Sequence, residues 1–115
     1  MKLELEKGFV EISPEVMTNI CGYAAGRCLW VKSMAPASAA DSLAGMLGFG
    51  KRARGVKITE GEDGVNIELH ILVKHGMNIS AACQAVIDEV RYTVEEMTGI
   101  KVANVNVCVD GITGD

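Results

Sequence analysis

Aromatic residues are scarce in this chain, which has one Trp, two Tyr and two Phe in 115 residues. That argues against a surface that stacks unpaired bases on aromatic rings. Positive charge is also in short supply: Lys and Arg total 11 against 15 Asp and Glu, and the formal net charge is −4 at pH 7. Such a balance gives no general attraction to nucleic acid and leaves room only for a local basic patch. The N-terminus, "MKLELEKGFVEI", alternates charged and apolar residues and has no continuous apolar run, so it does not read as a signal peptide. A membrane span needs roughly eighteen uncharged apolar residues. The best stretch, "ICGYAAGRCLWV", is too short and contains Arg27. These absences predict a soluble protein on the cytoplasmic side.

Paired cysteine motifs are missing too. Cys21, Cys28, Cys83 and Cys108 are scattered without a CxxC pair, and in an unexported protein they are expected to be free, mostly buried thiols. Cys21 and Cys28 lie seven residues apart and can share a helical face. A metal site would need two more ligands, and His70 and His75 stand at no recognisable ligand spacing to them. No metal and no cofactor are expected on this basis.

What is present is apolar material for one core, 49% of the residues, in a chain the length of a single domain. Gly8 to Ile12 reads as a short strand. Ser13, Pro14 and Glu15 then form a helix start, with Ser as N-cap, Pro at the first helical position and an acid in the first turn. The helix is expected to run from Pro14 to about Leu29, with Val16, Ile20, Tyr23 and Ala24 as its apolar stripe. Gly22 and Gly26 inside it suggest a close approach to a neighbouring element. From Val31 to Gly55 the chain is rich in Ala, Gly and Ser. This segment is expected to be a mobile insertion holding one short helix around Ala39 to Leu47.

Val56 and Ile58 alternate with Lys57 and Thr59, and "EGEDG" supplies a turn. Val65, Ile67, Leu69, Ile71 and Val73 then alternate with Asn66, Glu68, His70, Leu72 and Lys74. The pair predicts an antiparallel hairpin with one buried face. Ile79, Cys83, Val86, Ile87, Val90, Val94 and Met97 follow a helical period, with Asp88, Glu89, Arg91, Glu95 and Glu96 on the other side. Asn78 is placed to cap that helix, Gly76 to turn the chain into it and Gly99 to stop it. A last strand through Val102 to Val109 would lie parallel to the strand before the helix, after a right-handed crossover. The resulting order, β-α-(α)-β-β-α-β, predicts an α+β domain of two layers. A small mixed sheet carries helices on one face, and Asn66, Glu68, His70 and Leu72 lie on the open face.

Three features invite a functional reading, two of them on one stretch. In "GMLGFGKR", Gly45, Gly50 and Lys51 match part of a Walker A loop. Arg52 stands where Ser or Thr should hold magnesium, and no strand precedes the motif, so coincidence is the better reading. The same stretch joins apolar Met46, Leu47 and Phe49 to cationic Lys51, Arg52 and Arg54. These six are the candidate contact to a membrane surface or a partner, although so short an apolar segment would bind weakly alone. His70 and His75 differ in strand parity and have no neighbouring nucleophile, so surface or strand-end roles are favoured over catalysis. No catalytic residue can be nominated.

Three blocks, "GFVEISPEVMTNICGYAA", "GVKITEGEDGVNIELHILVKHGMNI" and "AVIDEVRYTVEEMTGIKVANVNVCVDGI", cover most of the chain. Together and in this order they resemble the alkaline shock protein family, the envelope stress response proteins of Gram-positive bacteria. The resemblance implies a small cytoplasmic protein without recognised catalytic residues, acting in cell-envelope homeostasis through protein–protein interactions near the inner membrane face. The partners it implies are proteins, a membrane-anchoring protein among them, with self-association and peripheral membrane contact left open. It also implies an alternative, a regulatory binding module for an enzyme of fatty-acid or lipid metabolism. An RNA-binding module is a weaker reading, because only the strand order suggests it. Nucleic acid is not an expected partner.

Overall fold

The computed structural model describes residues 1–28, 31–34 and 55–113. Its elements are β1 (Lys2–Leu5), β2 (Gly8–Glu11), α1 (Pro14–Gly26), β3 (Val31–Met34), β4 (Val56–Gly61), β5 (Gly64–Lys74), α2 (Ile79–Thr98) and β6 (Val102–Thr113). β5 is the centre of a four-stranded sheet. Along one edge it pairs antiparallel with β4 through its first half and with β3 through Ile71 to Val73. Along the other edge it pairs parallel with β6 from Val65 to Lys74. The β4–β5 hairpin and the parallel β5–β6 crossover match the sequence expectation.

The alternation of β5 determines the layers. Val65, Ile67, Leu69, Ile71 and Val73 are all buried, beneath Met17, Cys21, Ala24 and Ala25 of α1 and Val86, Val90 and Val94 of α2. Each such aliphatic side chain contributes about 1.5–3 kcal/mol by leaving water. Both helices therefore lie on one face of the sheet, and the two-layer α+β architecture stands as expected.

The helix ends follow their local chemistry. Ser13 Oγ accepts from the Val16 N–H at 3.2 Å, and Asn78 Oδ1 accepts from the Ala81 N–H at 3.1 Å. Gly99 closes α2 at φ 75°, a left-handed conformation that favours glycine. Gly76, at φ 91°, makes the turn between β5 and α2.

Several details depart from the pattern-based reading. β1 was not expected, yet Lys2 to Leu5 pairs with β2 in a separate two-stranded hairpin. Leu3 and Leu5 alternate with charges there, the period of a strand. α1 ends at Gly26 rather than near Leu29, and open space surrounds the position of a Gly26 Cβ, so no close approach explains that glycine. Val31 to Met34, placed within a mobile insertion, is instead a strand paired with β5. The helix expected at Ala39 to Leu47 lies outside the described residues.

The largest correction concerns the face of α1. Met17, Cys21, Ala24 and Ala25 are fully buried, whereas Val16 is 47% and Tyr23 43% exposed. This helix is apolar around most of its circumference, so periodicity alone does not choose a side. The buried side includes its small residues Gly22, Ala24 and Ala25. In α2 the expected core positions Val86, Val90 and Val94 are buried, but Ile79 and Met97 at the ends are exposed, and Ala82, Thr93 and Thr98 take inward places. Thr98 is tolerated because its hydroxyl donates to the Val94 carbonyl and accepts from the Ile100 N–H. The acids of α2 are not all merely solvated: Glu95 accepts from the Val102 N–H at 3.0 Å, and Glu89 pairs with Arg27 at 3.6 Å.

The rotated face of α1 has a direct test in chemical denaturation. Met17→Ala should cost about 2–5 kcal/mol, whereas Val16→Ala should stay within about 0.5 kcal/mol of the parent. Equal losses at the two positions would contradict this placement of the helix.

Candidate functional site

Strand register turns the open face of the sheet into rows of side chains. Thr59, Asn66 and Asn104 form one row, Lys57, Glu68 and Asn106 the next, and His70 with Cys108 a third. Asn104 Nδ2 donates to Asn66 Oδ1 at 2.9 Å. Lys57, Thr59, Asn66, Glu68 and Asn106 line a shallow groove of about 200 Å³. Asn66, Glu68, His70 and Leu72 share this face, as the alternation of β5 predicts.

The third row concentrates the titratable groups. Register between β5 and β6 shifts after Ile71 and Val109, and Asp110 is left without a partner on β5. Such a bulge re-aims a side chain. Here Asp110 Oδ2 sits 2.9 Å from His70 Nδ1, while Glu68 Oε2 sits 3.0 Å from His70 Nε2. A carboxylate only accepts, so both contacts are hydrogen bonds when both ring nitrogens carry hydrogen, that is, in the imidazolium. The hydrogen bond to Glu68 is the main cause that raises the pKa of His70 above 6.5; the Asp110 hydrogen bond and both carboxylate charges add to it, and partial burial opposes it.

Cys108 stands beside His70 on β6. Its pKa is raised, by desolvation first and then by the charges of Glu68 and Asp110. A Cys–His pair becomes nucleophilic when the imidazole can take the thiol proton. Here both shifts favour the protonated forms, through desolvation first at Cys108 and through the acids at His70, so the arrangement disfavours thiolate chemistry. One donor atom each from Glu68, His70 and Cys108 lies within 4.8 Å of the other two, a set that could hold a metal ion. The other three cysteines are also unpaired, and burial pushes the Cys21 thiol up to about 12.

Sequence reasoning placed His70 on this face but found it no acidic partner. The spacing of Glu68 and His70, two residues apart on an alternating strand, carried half of the answer. Cys108 and Asp110 join only through the register of β6 and its bulge. His75 instead occupies the exposed turn after β5, where its N–H donates to the Thr113 carbonyl at 2.8 Å. Met46, Leu47, Phe49, Lys51, Arg52 and Arg54 lie outside the described residues.

A second feature lies on the helix side. Val16, Asn19, Ile20 and Tyr23 of α1, with Met97 of α2, line an open groove of about 250 Å³. Met97 is 65% exposed. No helix among the described residues is long and apolar enough to cross a membrane.

Comparison with known proteins covers nearly the whole chain. The model of the alkaline shock protein 23 family, described by a cell envelope-related function, matches residues 2–114. "Uncharacterized protein YloU" of Bacillus subtilis is 31% identical over 113 residues, covering 97% of this chain and 94% of the relative. "Uncharacterized protein YqhY" of the same organism is 31% identical over 108 residues, covering 94% and 79% respectively. A Streptococcus pyogenes protein, "Uncharacterized protein Spy1614", is 26% identical over 113 residues, covering 97% and 93%. No solved structure matches significantly.

The clamp on His70 can be followed by NMR titration of its ring, with a chelator present. The midpoint should lie above 6.5, and Glu68→Gln and Asp110→Asn should each lower it. A raised folded-state pKa gives stability that is complete below the unfolded value and is lost as pH rises through the folded one. The stability advantage of the parent over His70→Gln should therefore shrink as pH rises upward from about 6.5. A pH-independent difference would contradict the clamp.

Proposed function

Because the chain belongs to the alkaline shock protein 23 family, whose function is cell envelope-related, we propose that it is a non-enzymatic binding protein of envelope homeostasis. It acts through protein–protein contact on the cytoplasmic side, near the inner membrane face, and its partner is a membrane-anchoring protein. The observation that carries this reading is the groove between α1 and α2. Val16, Tyr23 and Met97 are large apolar side chains left substantially exposed above a core that is already filled beneath them. Apolar side chains grouped on a helical surface suit the apolar face of a partner helix. The upward pKa shifts of His70 and Cys108 on the opposite face add support for a non-catalytic role, since they disfavour a thiolate nucleophile.

Met46, Leu47, Phe49, Lys51, Arg52 and Arg54 supply a second, weaker contact in this reading. Apolar groups followed by cations suit an anionic membrane surface, at about 1 kcal/mol per cation. An alternative partner for the same groove is an enzyme subunit of fatty-acid or lipid metabolism, which the protein would regulate.

Affinity capture from the native host separates these partners, using the parent and a Val16→Glu/Met97→Glu variant checked for folding by circular dichroism. Recovery of a membrane-anchoring protein by the parent and its loss in the variant are expected. Recovery of a carboxylase or lipid kinase subunit would favour the regulatory alternative, and undiminished capture by the variant would remove the groove from the contact. Flotation with anionic liposomes should be weak for the parent and absent when Lys51, Arg52 and Arg54 are all changed to Gln. No flotation in either case would leave recruitment to protein partners alone.

A further inference from the structure

The third row of the open face goes beyond the partner groove, because its donors have the composition and spacing of a metal site. We propose that Glu68, His70 and Cys108 bind one divalent transition-metal ion of the zinc class, with Asp110 as the outer partner that orients His70. The three supply one oxygen, one nitrogen and one sulfur, a mixed set that suits borderline-soft ions and not calcium or magnesium. Their donor atoms already lie within 4.8 Å of one another. Tetrahedral zinc, with bonds of about 2.0 Å to nitrogen and oxygen and about 2.3 Å to sulfur, places its ligands roughly 3.3–3.6 Å apart. The 3.0 Å between His70 Nε2 and Glu68 Oε2 is close to that spacing, and the Cys108 sulfur, within 4.8 Å of both donors, closes on the ion by rotation of its side chain.

The backbone supports the arrangement. His70 and Cys108 are register partners on parallel strands, and Glu68 is the next residue along the same face of β5. The ligands thus stand on paired strands and not on loops, which limits the freedom lost on binding. Metal-ligating histidines nearly always give their other ring N–H to a carboxylate or carbonyl. Asp110, re-aimed by the bulge, receives Nδ1–H in this way and leaves Nε2 directed at Glu68. On binding, the imidazolium loses its Nε2 proton and the Cys108 thiol loses its own, so up to two protons pass to solvent as the cation enters. The divalent charge replaces them between Glu68 and Asp110. Three protein ligands leave a fourth position for water on the open face.

The test uses the full chain, stripped with a chelator and then titrated with cobalt(II) and, in competition with a chromophoric chelator, with zinc. One equivalent should bind, and cobalt should give a near-ultraviolet thiolate charge-transfer band. Cys108→Ser should abolish the band, whereas Cys83→Ser and His75→Gln should leave it unchanged. Asp110→Asn should weaken zinc binding by about 10–100-fold, the usual effect of losing an outer partner, and His70→Gln should weaken it further. Zinc added to the parent should shift the ring signals of His70 and not those of His75, a reading that needs no variant to fold. The proposal is overturned by the absence of saturable binding, by a thiolate band that survives Cys108→Ser, or by a His70 ring that zinc leaves unmoved.

Discussion

Everything in this molecule depends on the period-two alternation of β5. Five aliphatic side chains, Val65, Ile67, Leu69, Ile71 and Val73, point to one side and bring both helices down on it. A strand that commits one face so completely commits the other by geometry, because a slip of one residue would exchange the whole set. β5 is also the only strand of the four-stranded sheet that pairs with all the others. Its register with β4, β3 and β6 therefore fixes which polar residues meet on the open side.

The chemistry of that side follows from two adjustments to the regular ladder. Parallel pairing sets Cys108 beside His70, and the bulge at Asp110 brings a second carboxylate onto a ring that Glu68 already holds. A histidine between two acids is a place where positive charge is stabilised, first as a proton. The helix side differs in kind. Its groove is apolar and lies away from the ionisable cluster, so the two faces of the domain can serve binding events of different chemistry without competing for the same residues.

Much of the fold was legible in the residues because local rules agreed with one another. Ser13, Pro14, Asn78, Gly76 and Gly99 each mark a boundary by a backbone requirement that no tertiary contact has to supply. The alternation of β5 is equally plain. α1 was harder, since apolar residues surround it and periodicity alone does not choose its phase. At the ends of α2 the apolar period includes Ile79 and Met97, which the packing leaves exposed, Met97 at the rim of the groove beside α1. β1 escaped notice because charges interleave its leucines in a hairpin with mostly exposed strands.

By itself the sequence determined the order of the main elements, the α+β class, the buried face of β5 and therefore the side on which His70 stands. These are properties of neighbouring residues along the chain, where period and backbone preference act over a few positions. Only the tertiary structure decided that His70 meets Asp110 and Cys108, some forty residues away, and that α1 leaves Val16 and Tyr23 in solvent. Register, a bulge and the closest approach of packed helices are relations between distant segments. A side chain's partner across strands depends on where the other strand begins, and no local pattern in β5 contains that information.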